Sequence, residues 1–188
     1  YPADSYPDGQ WDYFRYYTTH FRAAVADLDA DHGASLASIF RSGNPDGVGK
    51  VSPNALVTRN GGRFGAAHRA PPTQADPAIW PPADFDVLVQ QFRRRGFRAA
   101  CAWYLNDAAN IAYALGAPEG GRLLQPVLFI NGEFDPICSI TGNRQGDPMR
   151  AACADLTVTS LPAGHWLPQE CKAEHIDAIR SWLQSHKL

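Results

Sequence analysis

Apolar residues recur at three- and four-residue steps through most of the chain, and toward its end they also run in short blocks. Trp11, Phe14, Tyr17, Phe21, Val25 and Leu28 form one such series, which predicts a helix from Trp11 to about Asp29. Tyr13 and Tyr16 fall beside that stripe, and periodicity alone reads them as additional core. A second helix is expected over Ala34 to Arg41, with Leu36, Ile39 and Phe40 buried and Ser42-Gly43-Asn44-Pro45 ending it. Asp84 has the chemistry of an N-cap for a third, whose stripe is Phe85, Leu88, Val89 and Phe92 and which ends near Gly96. Cys101 to Leu115 and Lys172 to Gln184 are predicted as further helices, the latter burying Ile176, Ile179, Trp182 and Leu183. From Ser42 to Pro82 glycines and prolines crowd together without a sustained period. A loop of that length predicts a functional lid or a mobile segment, with Arg59, Arg63, His68 and Arg69 as a solvated basic cluster.

Two stretches follow a different rule. Val127 to Ile130 is an unbroken apolar run bounded by turn residues, as in a strand buried on both faces. Leu156 to Leu161 alternates, with Leu156 and Val158 on one face and Thr157 and Thr159 on the other. The break at Gly116 to Gly121 separates helical composition from strand-bearing composition, so the expected domains are 1–120 and 121–188. The fold class is α/β: a helical module followed by a strand–helix–strand–helix piece. Two parallel strands leave an unpaired edge or an uncovered face, so the sheet is expected to be completed by strands outside this chain.

Candidate chemistry sits at the two strand ends. Gly132 and Pro136 stop the first strand and leave Asp135 in the loop beyond its carboxyl end, where open α/β sheets gather catalytic groups. Pro162 and Gly164 stop the second and deliver His165, followed by Trp166. A carboxylate that accepts the proton of one ring nitrogen fixes the tautomer and leaves the other nitrogen as a base. The formal charge of −2 over 188 residues argues against a nucleic-acid partner, and 45% hydrophobic residues suffice for a core. No apolar run approaches the roughly 20 residues that span a bilayer. Cys101, Cys138, Cys153 and Cys171 show no CxxC pair or zinc spacing and read as free thiols of a reducing, cytoplasmic compartment, with a Cys153–Cys171 bridge left open. The chain begins at Tyr1 without methionine, which leaves room for an upstream segment. The Ser185-His186-Lys187-Leu188 tail approaches a peroxisomal address, with His186 where a small residue belongs.

The order strand, Asp loop, strand, Gly-His-Trp and terminal helix resembles the last quarter of an α/β-hydrolase, and the helical module resembles the cap inserted over that sheet. Trp11-Asp12-Tyr13 is similar to the Phe-Asp-Tyr that opens the cap of soluble epoxide hydrolases. Gln90-Gln91-Phe92, Gly96-Phe97-Arg98 and Trp103-Tyr104-Leu105-Asn106 resemble that family's Gln-Gln-Phe, Gly-Phe-Arg and Trp-Tyr-Arg-Asn. The likeness runs from Trp11 to the terminus outside the 42–82 loop. It implies that Tyr13 and Tyr104 donate hydrogen bonds to an epoxide oxygen, that His165 activates water against an alkyl-enzyme ester, and that Asp135 orients His165. Trp11, Phe14, Trp103 and Trp166 would line the substrate pocket. No metal or organic cofactor is implied. Leu105 and Phe14 depart from the Arg and Gln common in the family.

One part of the pattern is missing. The family's nucleophile, an aspartate in a context like Gly-His-Asp-Trp-Gly, has no counterpart here, and neither has the His-Gly-x-Pro of its oxyanion hole. Asp4, Asp8 and Asp12 precede Tyr13, but none follows a strand. The resemblance therefore implies a C-terminal portion whose partner is a nucleophile-bearing N-terminal half on a second chain. The expected ligand is a small-molecule epoxide, and a homodimer is left open. Two alternatives stand beside it: another α/β-hydrolase (esterase, lactonase or dehalogenase), and a truncated, non-catalytic ligand-binding protein.

Overall fold

The structure, a computed structural model, describes residues 1–187; Leu188, the last residue of the peroxisome-like tail, lies outside the described residues. The chain divides into two compact units. The first comprises Tyr1–Ser42 and Gly49–Asn106, and the second Gly43–Val48 together with the chain from Asp107 onward.

The first unit is helical. α1 (Asp12–Thr19) and α2 (Phe21–Asp29) replace the single helix expected from Trp11 to Asp29. The break has a local cause. The hydroxyls of Thr18 and Thr19 both donate to the Arg15 carbonyl at 2.8 Å, competing with the helical ladder, and His20 leaves helical geometry. Tyr16 and Tyr17 are both buried, whereas Trp11, the first residue of the predicted stripe, is 40% exposed. α3 (His32–Ile39) starts two residues before the expected Ala34, because the Asp31 carboxylate caps the Ala34 amide. α4 (Pro82–Arg95) likewise starts before Asp84. Pro82 takes the first helical position, where its missing N–H costs nothing, and Asp84 lies in the first turn rather than at the cap.

Gly96 ends α4 at φ +65, and an added Cβ would meet Asp29 Oδ2 at 3.0 Å. The same Asp29 carboxylate accepts the Phe97 amide at 2.8 Å. Phe97 is buried against Phe92, with ring centroids 4.4 Å apart, and the Arg98 guanidinium lies over Phe21. The Gly-Phe-Arg sequence is thus a corner that turns the chain into α5 (Arg98–Ala102). The helix expected from Cys101 to Leu115 is interrupted there. A 3-10 turn over Trp103–Asn106 separates α5 from α6 (Asp107–Leu115). The side chains of Tyr16, Tyr17, Ala24, Leu28, Leu36, Val57, Val89, Phe97 and Cys101 form one core.

The 42–82 stretch is largely exposed, with Arg59, His68 and Arg69 at the surface as expected of a solvated loop, but it is pinned at several points. Ser52, Ala55, Val57, Ala70 and Ile79 are buried, and three short 3-10 turns order it. Its basic residues are anchored: His68 to Asp27, Arg69 to Asp31, Arg63 to Tyr17, and Arg59 to the Ser5 carbonyl and the Tyr6 ring. Asp12 accepts the Thr58 amide, and Asp76 accepts both the amide and the hydroxyl of Ser42.

The second unit is a small α/β layer. β1 (Leu123–Gly132) pairs in parallel with β2 (Cys153–Leu161), and α7 (Asp147–Ala152) lies between them in the chain. Both strands extend beyond the predicted runs. α8 (Leu167–Glu170) and α9 (Lys172–Ser185) follow, and Trp182 Nε1 of α9 donates to the Thr157 hydroxyl of β2 at 3.2 Å. Val127 to Ile130 are only half-buried, and Leu124 is 63% exposed. Two strands and one long helix do not enclose both faces of a sheet, so the double burial predicted for β1 is not realised within this chain. Among the described residues no helix is long and apolar enough to cross a membrane.

Truncating Phe97→Ala removes the side chain that joins the corner to the core and is expected to cost about 3–5 kcal/mol. Urea denaturation followed by far-ultraviolet circular dichroism reads this, and a loss below about 1 kcal/mol would refute the corner's role.

Candidate active site

Parallel pairing brings the two strand ends side by side. Gly132 is opposite Leu161, and the Glu133 and Phe134 amides continue the pairing onto the carbonyls of Leu161 and Ala163 at 3.0 and 2.9 Å. Only glycine fits this approach. A Cβ on Gly132 would lie 2.5 Å from the Gly164 carbonyl oxygen, and one on Gly164 would lie 2.5 Å from Gly43 Cα.

The loop beyond β1 is pinned by Asn131, which is almost fully buried. Its Oδ1 accepts the Ile140 amide, and its Nδ2 donates to the Thr141 and Ser160 hydroxyls. Asp135 sits in the first turn of that loop with 8% of its surface exposed. Its Oδ1 accepts the amides of Ile137 and Cys138, and its Oδ2 bonds His165 Nδ1 at 2.9 Å. The carboxylate is thereby fixed by its own turn and presents one oxygen to the imidazole.

His165 is held from the other side by a residue that the sequence did not single out. Glu170 Oε2 accepts the amides of Gly43 and Gly164, both at 2.8 Å, and Oε1 accepts the amide of Trp166 at 3.1 Å. The amides on both sides of His165 thus end on one carboxylate. Trp166 packs edge-on against the imidazole at 5.0 Å. A Glu five residues after a histidine in a Pro- and Gly-rich turn was the only signal available, and it is a weak one.

The electrostatics follow from these contacts. Burial works to raise the Asp135 pKa, but the His165 bond and the two loop amides outweigh it and hold the carboxyl below its ordinary value. The hydrogen bond to Asp135 is the largest influence on His165, with Cys138 adding to it and burial opposing. The imidazole is pushed up to about 10. At neutral pH the pair is carboxylate and imidazolium.

The two tyrosines come together in the first unit. Tyr13 of α1 and Tyr104 of the 3-10 turn have ring centroids 5.7 Å apart, with Phe14 and Tyr17 4.6 and 5.0 Å from Tyr104. Burial raises the Tyr104 pKa, the neighbouring Tyr17 adds to this, and hydrogen bonding with Tyr13 partly offsets it. Burial likewise raises Tyr17, against the influence of Arg63. The Tyr104 phenol therefore stays protonated well beyond neutrality and remains a donor. Of the other aromatic candidates, Phe14 belongs to this cluster and Trp11 meets Phe14 at 5.5 Å, while Trp103 is 80% exposed. All four cysteines are free thiols.

No protein-family model matches the sequence. Curated relatives do. Epoxide hydrolase A of Mycobacterium tuberculosis is 26% identical over 167 residues, covering 88% of this chain and 50% of that protein. In sequence the chain is thus similar to proteins named epoxide hydrolase. Epoxide hydrolase B of the same organism is 28% identical over 80% of this chain and 40% of its own length. Bifunctional epoxide hydrolase 2 of Rattus norvegicus is 24% identical, over 86% of this chain and 28% of its own length. In fold, the crystal structure of epoxide hydrolase A from Mycobacterium thermoresistibile superposes with a TM-score of 0.63 at 22% identity, covering 92% of this chain and 51% of that one. The chain spans half or less of the length of these curated relatives.

His165 should titrate near 10 by NMR of its ring protons, and Asp135→Asn should bring it down by several units. Because the His165 pKa is raised, its stabilisation is complete below 6.5 and lost as pH climbs through about 10. Because the Asp135 pKa is lowered, its share is present above 3.8 and lost as pH falls through the folded value. Both describe one interaction, so the stability difference between wild type and Asp135→Asn should peak between roughly pH 4 and 6.5. A flat difference across pH would contradict the pairing.

Proposed function

We propose that this chain is the cap and the C-terminal part of the catalytic core of an epoxide hydrolase, which opens an epoxide to a vicinal diol through an alkyl-enzyme ester. The pairing of Tyr13 with Tyr104 carries this reading, because it separates epoxides from esters and halides. An oxirane oxygen has two lone pairs and becomes an alkoxide as the ring opens. Two neutral phenols suit that developing charge, and a halide leaving group would not call for them. The names of the curated relatives support the same substrate class.

In the first step a carboxylate attacks an oxirane carbon. The ring C–O bond breaks, a C–O ester bond forms, and a phenol proton goes to the leaving oxygen. In the second, His165 Nε2 takes a proton from water, the hydroxide adds to the ester carbonyl, the acyl C–O bond breaks, and the proton held by the imidazolium passes to the departing diol oxygen. Asp135 holds Nδ1 and balances the imidazolium that results. His165 must first be neutral at Nε2, so ester hydrolysis falls off as pH drops below its pKa.

The attacking carboxylate is assigned to the part of the enzyme these relatives possess beyond the matched region. Asp8 is paired with Arg15, and Asp12 accepts the Thr58 amide at the head of α1. Asp135, the aspartate that follows a strand, is bonded to His165. Apolar side chains such as Tyr113, Leu115 and Ile176 are exposed, which fits a chain that packs against further protein. The domain reading 1–120 as cap and 121–188 as core, and a cytoplasmic setting, belong to this proposal.

In the complete enzyme, His165→Gln should form the ester but release it at least about 100-fold more slowly. Intact-protein mass spectrometry then finds an adduct of the epoxide's mass, and unimpaired turnover would remove the base assignment. Tyr13→Phe with Tyr104→Phe should abolish adduct formation itself, and a double variant that alkylates at the wild-type rate would overturn the epoxide reading.

A further inference from the structure

Beside the Asp135–His165 pair stands a third group that this reaction does not use. Cys138 lies three residues beyond Asp135 in the same turn, and its thiol reaches the imidazole. One carboxylate oxygen, the sulfur and one ring nitrogen of Asp135, Cys138 and His165 all lie within 4.8 Å of one another. We propose that these three side chains form a binding site for a thiophilic divalent cation of the Zn2+ class, whose occupation removes the base from His165. The site stands on geometry alone, whereas its effect on turnover rests on the reading above.

The donor set is the first argument. Zn2+ takes sulfur at about 2.3 Å and nitrogen or oxygen at about 2.0–2.2 Å in a tetrahedron, which puts neighbouring ligand atoms roughly 3.3–3.8 Å apart. A triangle within 4.8 Å needs only to contract by about an ångström, whereas the 2.9 Å between Asp135 Oδ2 and His165 Nδ1 must open slightly. A thiolate in the set favours Zn2+ or Cd2+ over Mg2+ and Ca2+, which prefer oxygen alone. Three protein ligands leave the fourth position for water.

The supporting shell is the second argument. Asp135 Oδ1 is already held by the Ile137 and Cys138 amides, so Oδ2 is free to turn from proton to metal without losing its orientation. The Cys138 turn is pinned by Asn131, and the His165 turn by Glu170. The site is also reachable, since Cys138 is half-buried and the His165 side chain is 39% exposed.

Binding exchanges protons for the metal without any redox change. The Cys138 thiol proton and the Nδ1 proton leave to solvent as Sγ–metal and Nδ1–metal bonds form. The imidazole then carries its remaining proton on Nε2. The nitrogen that should accept a proton from water becomes a donor, and ester hydrolysis stops.

The test is a titration of the 188-residue chain with Co2+, read by the thiolate-to-cobalt charge-transfer band and the visible bands of tetrahedral cobalt. One equivalent should produce both, and added Zn2+ should displace it. Cys138→Ala should abolish the charge-transfer band, Cys138→Ser checks that this is not misfolding, and Asp135→Asn should weaken binding at least tenfold. No charge-transfer band, or a band undiminished in Cys138→Ala, overturns the site. In the complete enzyme, Cys138→Ala should keep turnover and escape Zn2+ inhibition, and unchanged inhibition overturns the proposed effect. Absence of epoxide turnover in every form would instead refute the function, and with it the inhibition, while the cobalt spectrum still decides the site.

Discussion

Parallel pairing of β1 and β2 forces both strands to end on the same side, and the chemistry of the second unit hangs from that constraint. Side by side, the loops after Gly132 and Leu161 approach closely enough that only glycine backbone fits between them. An antiparallel pair would have put Asp135 and His165 at opposite ends of the sheet. With the strand ends adjacent, a 2.9 Å hydrogen bond forms between residues 30 positions apart in the chain.

Both units use the same device to fix irregular backbone: a carboxylate that accepts main-chain amides. Asp12 holds Thr58, Asp29 holds Phe97, and Asp31 holds Ala34 in the first unit. Asp135 and Glu170 each hold two or three amides in the second. Charge-assisted bonds of this kind are roughly twice as strong as neutral ones and point in one direction. They let a Gly- and Pro-rich stretch such as 42–82 hold a defined course with little regular secondary structure.

The two candidate groups of side chains differ in electrostatic character, and the difference suits the roles proposed for them. The Tyr104 phenol is buried among rings and kept neutral, which preserves it as a donor. The His165 imidazole leans on a carboxylate and is kept charged until the proton is drawn off. One environment withholds charge and the other stores it. A neighbouring thiol makes the second environment attractive to a metal as well as to a proton.

Where the strands stop and where Asp135 and His165 sit relative to those stops were legible in the sequence. Those features depend on a few consecutive residues: a proline that denies an amide, a glycine that permits a turn, an apolar run of fixed length. The break between α1 and α2, the turn within 103–106 and the Pro82 start of α4 were not: apolar spacing continues across the first two, and the Thr18 and Thr19 hydroxyl bonds at the first break leave no periodic signal. Tertiary structure alone decided that Glu170 would brace His165 together with Gly43, a contact spanning 127 positions, and that Cys138 would meet the imidazole. No local rule reaches that far, since the neighbours of a side chain at a strand end are chosen by how the strands pair.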